Sequence, residues 1–102
     1  MQINYQQTDG QLIAIVQGRL GTVESEQFMN NMQPLMDAAD GTIRLDCHQL
    51  EYISSSGLRA LLTLNKQVHA KGGKLILTGL NDEVKQVFQI TGFNSIFTIT
   101  DV

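Results

Sequence analysis

A chain of 102 residues, 42 % hydrophobic and 17 % charged, has the length of one domain (1–102) and buries a core without disulfide or metal staples. Seven Lys and Arg against ten Asp and Glu leave a net charge of −3. The basic residues are scattered, so no footprint for direct nucleic-acid binding is present. One cysteine, Cys47, excludes an internal disulfide and a zinc site of the usual thiolate type.

The opening "MQINYQQTDG" has neither a basic n-region nor an apolar h-region, which reads as no secretory signal. No apolar stretch approaches the roughly 20 residues that span a bilayer. The expectation is a cytoplasmic, reducing setting and no membrane partner. Ile3 to Gln6 and Leu12 to Gln17 are short β-rich runs separated by "TDG", whose Asp9-Gly10 pair predicts a hairpin. "GRLGT" ends the second strand. Thr22 then reads as the N-cap of a helix with Glu24 and Glu26 in its first turn, where acidic groups suit the positive helix end. Phe28, Met32, Leu35 or Met36, and Ala39 follow at helical spacing. Pro34 removes a backbone donor inside this pattern and predicts a kink or a split.

"TIRLDC" reads as a strand with Ile43 and Leu45 on one face. Beyond the serine-rich "YISSSG", Leu58, Leu61, Leu62, Asn65 and Val68 mark a helix. Lys66, His69 and Lys71 lie in or near its last turn, and Gly72-Gly73 ends it. "KLILTG" is a further strand. Asn81 with Asp82 and Glu83 opens a third helix carrying Val84, Val87 and Phe88, closed by Gly92. "SIFTIT" reads as a last strand. The order ββαβαβαβ predicts an α/β domain. Its sheet is mixed, with an N-terminal hairpin followed by mostly parallel strands joined by crossover helices.

Several residue sets suggest chemistry, and each has a plainer reading. Adjacent Cys47 and His48 evoke a nucleophile and a base, but neighbouring side chains at a strand end point in opposite directions. A buried thiol beside a loop histidine accounts for them. His69 suits a helix C-terminus, and Asn65 and Gly73, four residues to either side of it, supply no second metal ligand. Met29, Met32 and Met36 read as helix core or a partly exposed patch. Gly72-Gly73 follows a helix and precedes a strand, the reverse of a phosphate loop.

The run Ser54-Ser55-Ser56-Gly57 is the remaining candidate. It lacks the glycine two residues before the serine that a nucleophile elbow requires. Ser54 or Ser55 accounts for an N-cap. Capping needs one hydroxyl and leaves Ser56, directly before Gly57, unexplained. Its hydroxyl is expected at a helix N-terminus, where anions are favoured, with the small Gly57 giving another protein close access. Those properties suit a serine that accepts a phosphoryl group.

"GRL" (Gly18 to Leu20), "LDCHQLEYISSSGLRALL" (Leu45 to Leu62), "KGGKLILTGL" (Lys71 to Leu80) and "VFQITGFNSIF" (Val87 to Phe97) resemble the STAS domain of bacterial anti-sigma factor antagonists. The resemblance implies a STAS-like fold and a non-enzymatic regulator without a cofactor. Such a protein binds an anti-sigma factor that is also a serine kinase, and so frees a sigma factor. The kinase phosphorylates the serine before the glycine, here Ser56, with Ser55 the alternative. The modified form lets go, and a PP2C-type phosphatase restores it. Carried onto this chain, the partner-binding surface is Gly21, Thr22, Ser54, Ser55, Ser56, Gly57 and Leu58. Many members carry Asp where this chain has Gly21 and Ser54; serine replaces aspartate as a cap. Competing readings are a STAS adaptor that docks on a transporter or ATPase without being phosphorylated, and a small hydrolase using a serine or Cys47.

Overall fold

Along Gln11–Leu20 the side chains of Leu12, Ala14 and Val16 are buried, while Ile13 and Ile15 between them are half-buried. This period of two is that of a strand with one face on the core. The computed structural model describes residues 1–8 and 10–100. It runs β1 (Gln2–Thr8), β2 (Gln11–Leu20), α1 (Thr22–Asn30), α2 (Gln33–Asp37), β3 (Thr42–Ile53), α3 (Ser55–Ala70), β4 (Lys74–Thr78), α4 (Asp82–Thr91) and β5 (Thr98–Thr100).

The strands lie in one sheet in the order β1-β2-β3-β4-β5. β1 is antiparallel to β2, and β2 through β5 are parallel. This is the expected mixed α/β sheet. Asp9 of the hairpin turn lies outside the described residues. Helix α1 rests on β2 and α3, α3 reaches β3 and β4, and α4 packs on β3. Leu20, Leu35, Ile43, Leu45, Leu64, Leu75, Leu77 and Phe88 are the largest apolar side chains wholly inside.

The interruption expected at Pro34 takes the form of a split: α1 stops at Asn30, and Pro34 occupies the first turn of α2, where its missing N–H is one the helix would leave unpaired anyway. Three other expectations needed correction. Thr22 is the first residue of α1, and Gly21 is its N-cap. The β3 strand does not stop at Cys47. It continues to Ile53 and takes His48 with it, so His48 is a strand residue, not a loop one. Two irregularities in the β2–β3 register, between Ile15 and Gln17 and between Gly18 and Arg19, reset the alternation so that Cys47, Leu50 and Ile53 are buried. A period of two cannot see such a strand. The last strand is shorter than "SIFTIT", because Phe93–Ser95 forms a turn of 3-10 helix. Phe97 is buried edge-on to Phe88, with ring centroids 5.4 Å apart.

Candidate docking site

The three serines divide the work. Ser54 is the N-cap of α3: its hydroxyl accepts the Gly57 N–H at 3.1 Å and donates to the Leu20 carbonyl at 3.2 Å. The Ser54 N–H donates to that same carbonyl at 2.9 Å. One residue thus caps the helix and ties it to the end of β2. We expect Ser54→Ala to cost about 1–2 kcal/mol in chemical denaturation, toward the upper end for a cap because a second bond goes with it. Ser54→Asp should restore only part, since a carboxylate accepts the amide but has no proton for the Leu20 oxygen.

Ser55 and Ser56 are the first helical residues, and their amides precede any intrahelical acceptor. Ser55 is exposed; Ser56 is half-buried. Ser56 lines a shallow groove of about 340 Å³ between α1 and α3. Thr22, Ser25, Glu26 and Met29 line it from α1; Ser56, Arg59, Ala60 and Thr63 line it from α3. Both sets have the spacing i, i+3, i+4, i+7, one helical face each.

Gly57 is not there to admit a partner. It is buried, and a Cβ on it would meet the Leu20 carbonyl oxygen at 2.7 Å, Ile53 Cγ1 at 2.8 Å and Leu20 Cγ at 2.9 Å. Its lack of a side chain lets α3 sit down on the ends of β2 and β3. Leu58 is also buried, 4 % exposed, so its side chain belongs to the core and offers nothing to a docking surface. Of the expected surface, the side chains of Thr22, Ser55 and Ser56 are available, with Gly21 and Ser54 partly covered behind them. At Gly21 the amide donates to Glu24 Oε1 at 3.0 Å, and Ser25 Oγ donates to the Gly21 carbonyl. Gly21 has no side chain to cap the helix, and Glu24 reaches back from the first turn only to the amide of the N-cap residue itself.

Sequence reading missed Ser25, Glu26, Met29, Arg59, Ala60 and Thr63 as groove residues. The i, i+3, i+4, i+7 spacing starting from Ser56 and from Thr22 was the available signal. It also missed Arg19, whose guanidinium lies 4.2 Å over the Tyr52 ring on the strand ends leading into the site.

The other candidates are not drawn toward this groove. Cys47 is buried, and burial, with the negative charge of Asp46 adding to it, pushes its thiol up to about 12. Nucleophilic cysteines are thiolates; this one is not. A thiol-reactive probe at pH 8 should label Cys47 only once denaturant unfolds the chain, and rapid labelling of the native protein would contradict this. His48 is exposed on the opposite side of the strand and pairs with Asp46, Nδ1 to Oδ1 at 2.6 Å. Partial burial acts to raise the Asp46 pKa, but the His48 ring and amide hydrogen bonds and its charge outweigh that and hold it below the ordinary carboxylate range. His69 sits in the last turn of α3, roughly 20 Å along the helix from Ser56 at 1.5 Å per residue.

The STAS domain family model matches residues 2–102. The relative named "Putative anti-sigma factor antagonist BtrV", from Bordetella bronchiseptica, is 37 % identical over 99 % of this chain and 87 % of its own length. Among solved structures, the protein TM1081 of Thermotoga maritima superposes with a TM-score of 0.89 at 22 % identity, over 98 % of this chain and 86 % of that one. The phosphorylated form of the Bacillus cell fate determinant SpoIIAA does so at 0.74 and 20 % identity, over 99 % and 91 %. At such identities these two are likenesses of fold. The family match and the Bordetella relative go further: this chain is a member of the STAS domain family, with anti-sigma factor antagonists as its relatives.

Proposed function

We propose that this protein is a non-enzymatic anti-sigma factor antagonist, working in the cytoplasm as a switch controlled by phosphorylation of Ser56. Unmodified, it binds an anti-sigma factor that is a serine kinase and thereby frees a sigma factor. The kinase moves the γ-phosphoryl group of ATP to Ser56: the Oγ–P bond forms, the bond to ADP breaks, and the hydroxyl proton passes to the kinase's base. A PP2C-type phosphatase hydrolyses the phosphoserine with water and resets the switch.

The observation that carries this reading is the division among the serines. Ser54 holds the cap, while Ser56, half-buried at the head of the same helix, lines a groove between two helices. Phosphate at a helix N-terminus is favourable to the fold by about 0.3–1 kcal/mol. A dianion of about −1.5 to −2 charges at a docked surface acts against the partner instead. The hydrolase alternative has no support in the geometry, with Cys47 buried, His48 held by Asp46 and His69 at the far end of α3.

The test is co-purification of this protein with a candidate anti-sigma factor kinase, with and without ATP. ATP should dissolve the wild-type complex and leave that of Ser56→Ala intact. Dissociation of both would refute the switch. A stable complex in ATP, with Ser56 unmodified in cells, would point to an unphosphorylated adaptor.

A further inference from the structure

Ser56 and Arg59 stand three residues apart on α3, a spacing that makes side chains neighbours on a helix surface, about 5–6 Å between Cβ atoms. Both line the groove between α1 and α3. The charged groups facing that groove are few. Glu26 contributes a carboxylate from α1, and Arg59 contributes a guanidinium from α3. Glu24, earlier on α1, is turned back onto the Gly21 amide, and the Ser25 hydroxyl is committed to the Gly21 carbonyl. Among the described residues the Arg59 guanidinium makes no ion pair with Glu26 or with any other carboxylate. A cation one turn from the acceptor hydroxyl is therefore uncommitted in the unmodified protein.

We infer that Arg59 is the built-in counter-ion of a phosphoserine at position 56, taking two phosphate oxygens with its planar fork and holding the dianion against α3, away from Glu26. The inference rests on the reading of Ser56 as the phosphoacceptor and adds what becomes of the phosphate after transfer. Guanidinium matches a phosphate with two parallel N–H donors, whereas a lysine in its place would act as a point charge. The spacing is intrahelical, so the pair forms without moving the backbone. Arg59 is exposed, which lets its long side chain turn toward the phosphate. Arg59 thereby works on the modified state alone and has no part in capping or in the core.

The test uses the full chain with phosphoserine placed at position 56 during translation by an expanded genetic code, so that no kinase is involved. The readout is the second ionisation of the phosphate, followed by 31P NMR against pH. A neighbouring cation favours the dianion, so this ionisation should fall at least about half a unit lower in the wild type than in Arg59→Gln. Arg59→Lys should lie between them, and Glu26→Gln, which removes the opposing carboxylate, should lower it further. Coincident titrations of wild type and Arg59→Gln would overturn the assignment. The unmodified Arg59→Gln protein should melt with the wild type, which separates the effect from misfolding. Because the phosphate is installed directly, a negative result here leaves Ser56 as the acceptor untouched. A kinase that fails to modify Ser56 would strike the functional reading instead.

Discussion

On the proposed reading, the protein phosphorylated at Ser56 is expected to bind the proposed anti-sigma factor kinase about a hundredfold more weakly than the unmodified form, a loss of roughly 3 kcal/mol. Its melting temperature should be unchanged or raised by no more than about 4–8 °C. Two terms of different size decide this. Ser56 lies at the start of α3, where the helix field would favour a phosphate's negative charge by about 0.3–1 kcal/mol. Across an interface built on Thr22, Ser55 and Ser56, the added group is bulky, doubly charged and strongly hydrated. Desolvating it or setting it against like charge costs several kcal/mol. The partner's loss would outweigh the scaffold's gain, so phosphate at Ser56 should switch association and leave the fold alone. Calorimetric titration of both forms, with melts run in parallel, checks it. A large fall in melting temperature would mean that phosphate acts by unfolding.

Gly57→Ala should lower stability by about 2 kcal/mol, or roughly 8–16 °C in melting temperature for a domain of this size. Alanine would ordinarily gain up to about 1 kcal/mol over glycine within a helix. Here the gain is outweighed. The new Cβ would lie 2.7 Å from the Leu20 carbonyl oxygen, and that oxygen is fixed by two donors from Ser54. It cannot swing aside as a surface side chain would; α3 must lift from the strand ends, and Ser54 loses its geometry with it. A glycine whose use was to admit the partner would behave oppositely, with full stability and weakened binding. Thermal and urea melts of Gly57→Ala in the absence of any partner separate the two.

Much of the fold was legible because it rests on local periodicity and end signals. The alternation in Leu12 to Val16, the Asn81 cap that accepts the Val84 amide at 2.8 Å, and the Gly92 stop at φ 78° can each be read from a few neighbouring residues. Features set by contacts distant in sequence could not be read that way. The second half of β3 escapes a period of two because of its irregular pairing with β2. Ser54 is a cap by local rule, but its bond to Leu20 spans the interval between two elements. The role of Gly57 was misjudged for the same reason, since the atoms it makes room for belong to Leu20 and Ile53. Leu58 looked like part of a surface because it adjoins Ser56 in sequence, yet one residue along a helix turns a side chain by about 100°, here into the core. Ser56 itself was singled out by elimination, and the groove residues opposite it required the packing of α1 on α3.

The most direct test of the account is to locate the phosphate. After incubation of the intact protein with the proposed kinase and ATP, fragment mass spectrometry should place a single phosphoryl group on Ser56, and Ser56→Ala should take up none. Modification confined to Ser55, or undiminished uptake by Ser56→Ala, would contradict it.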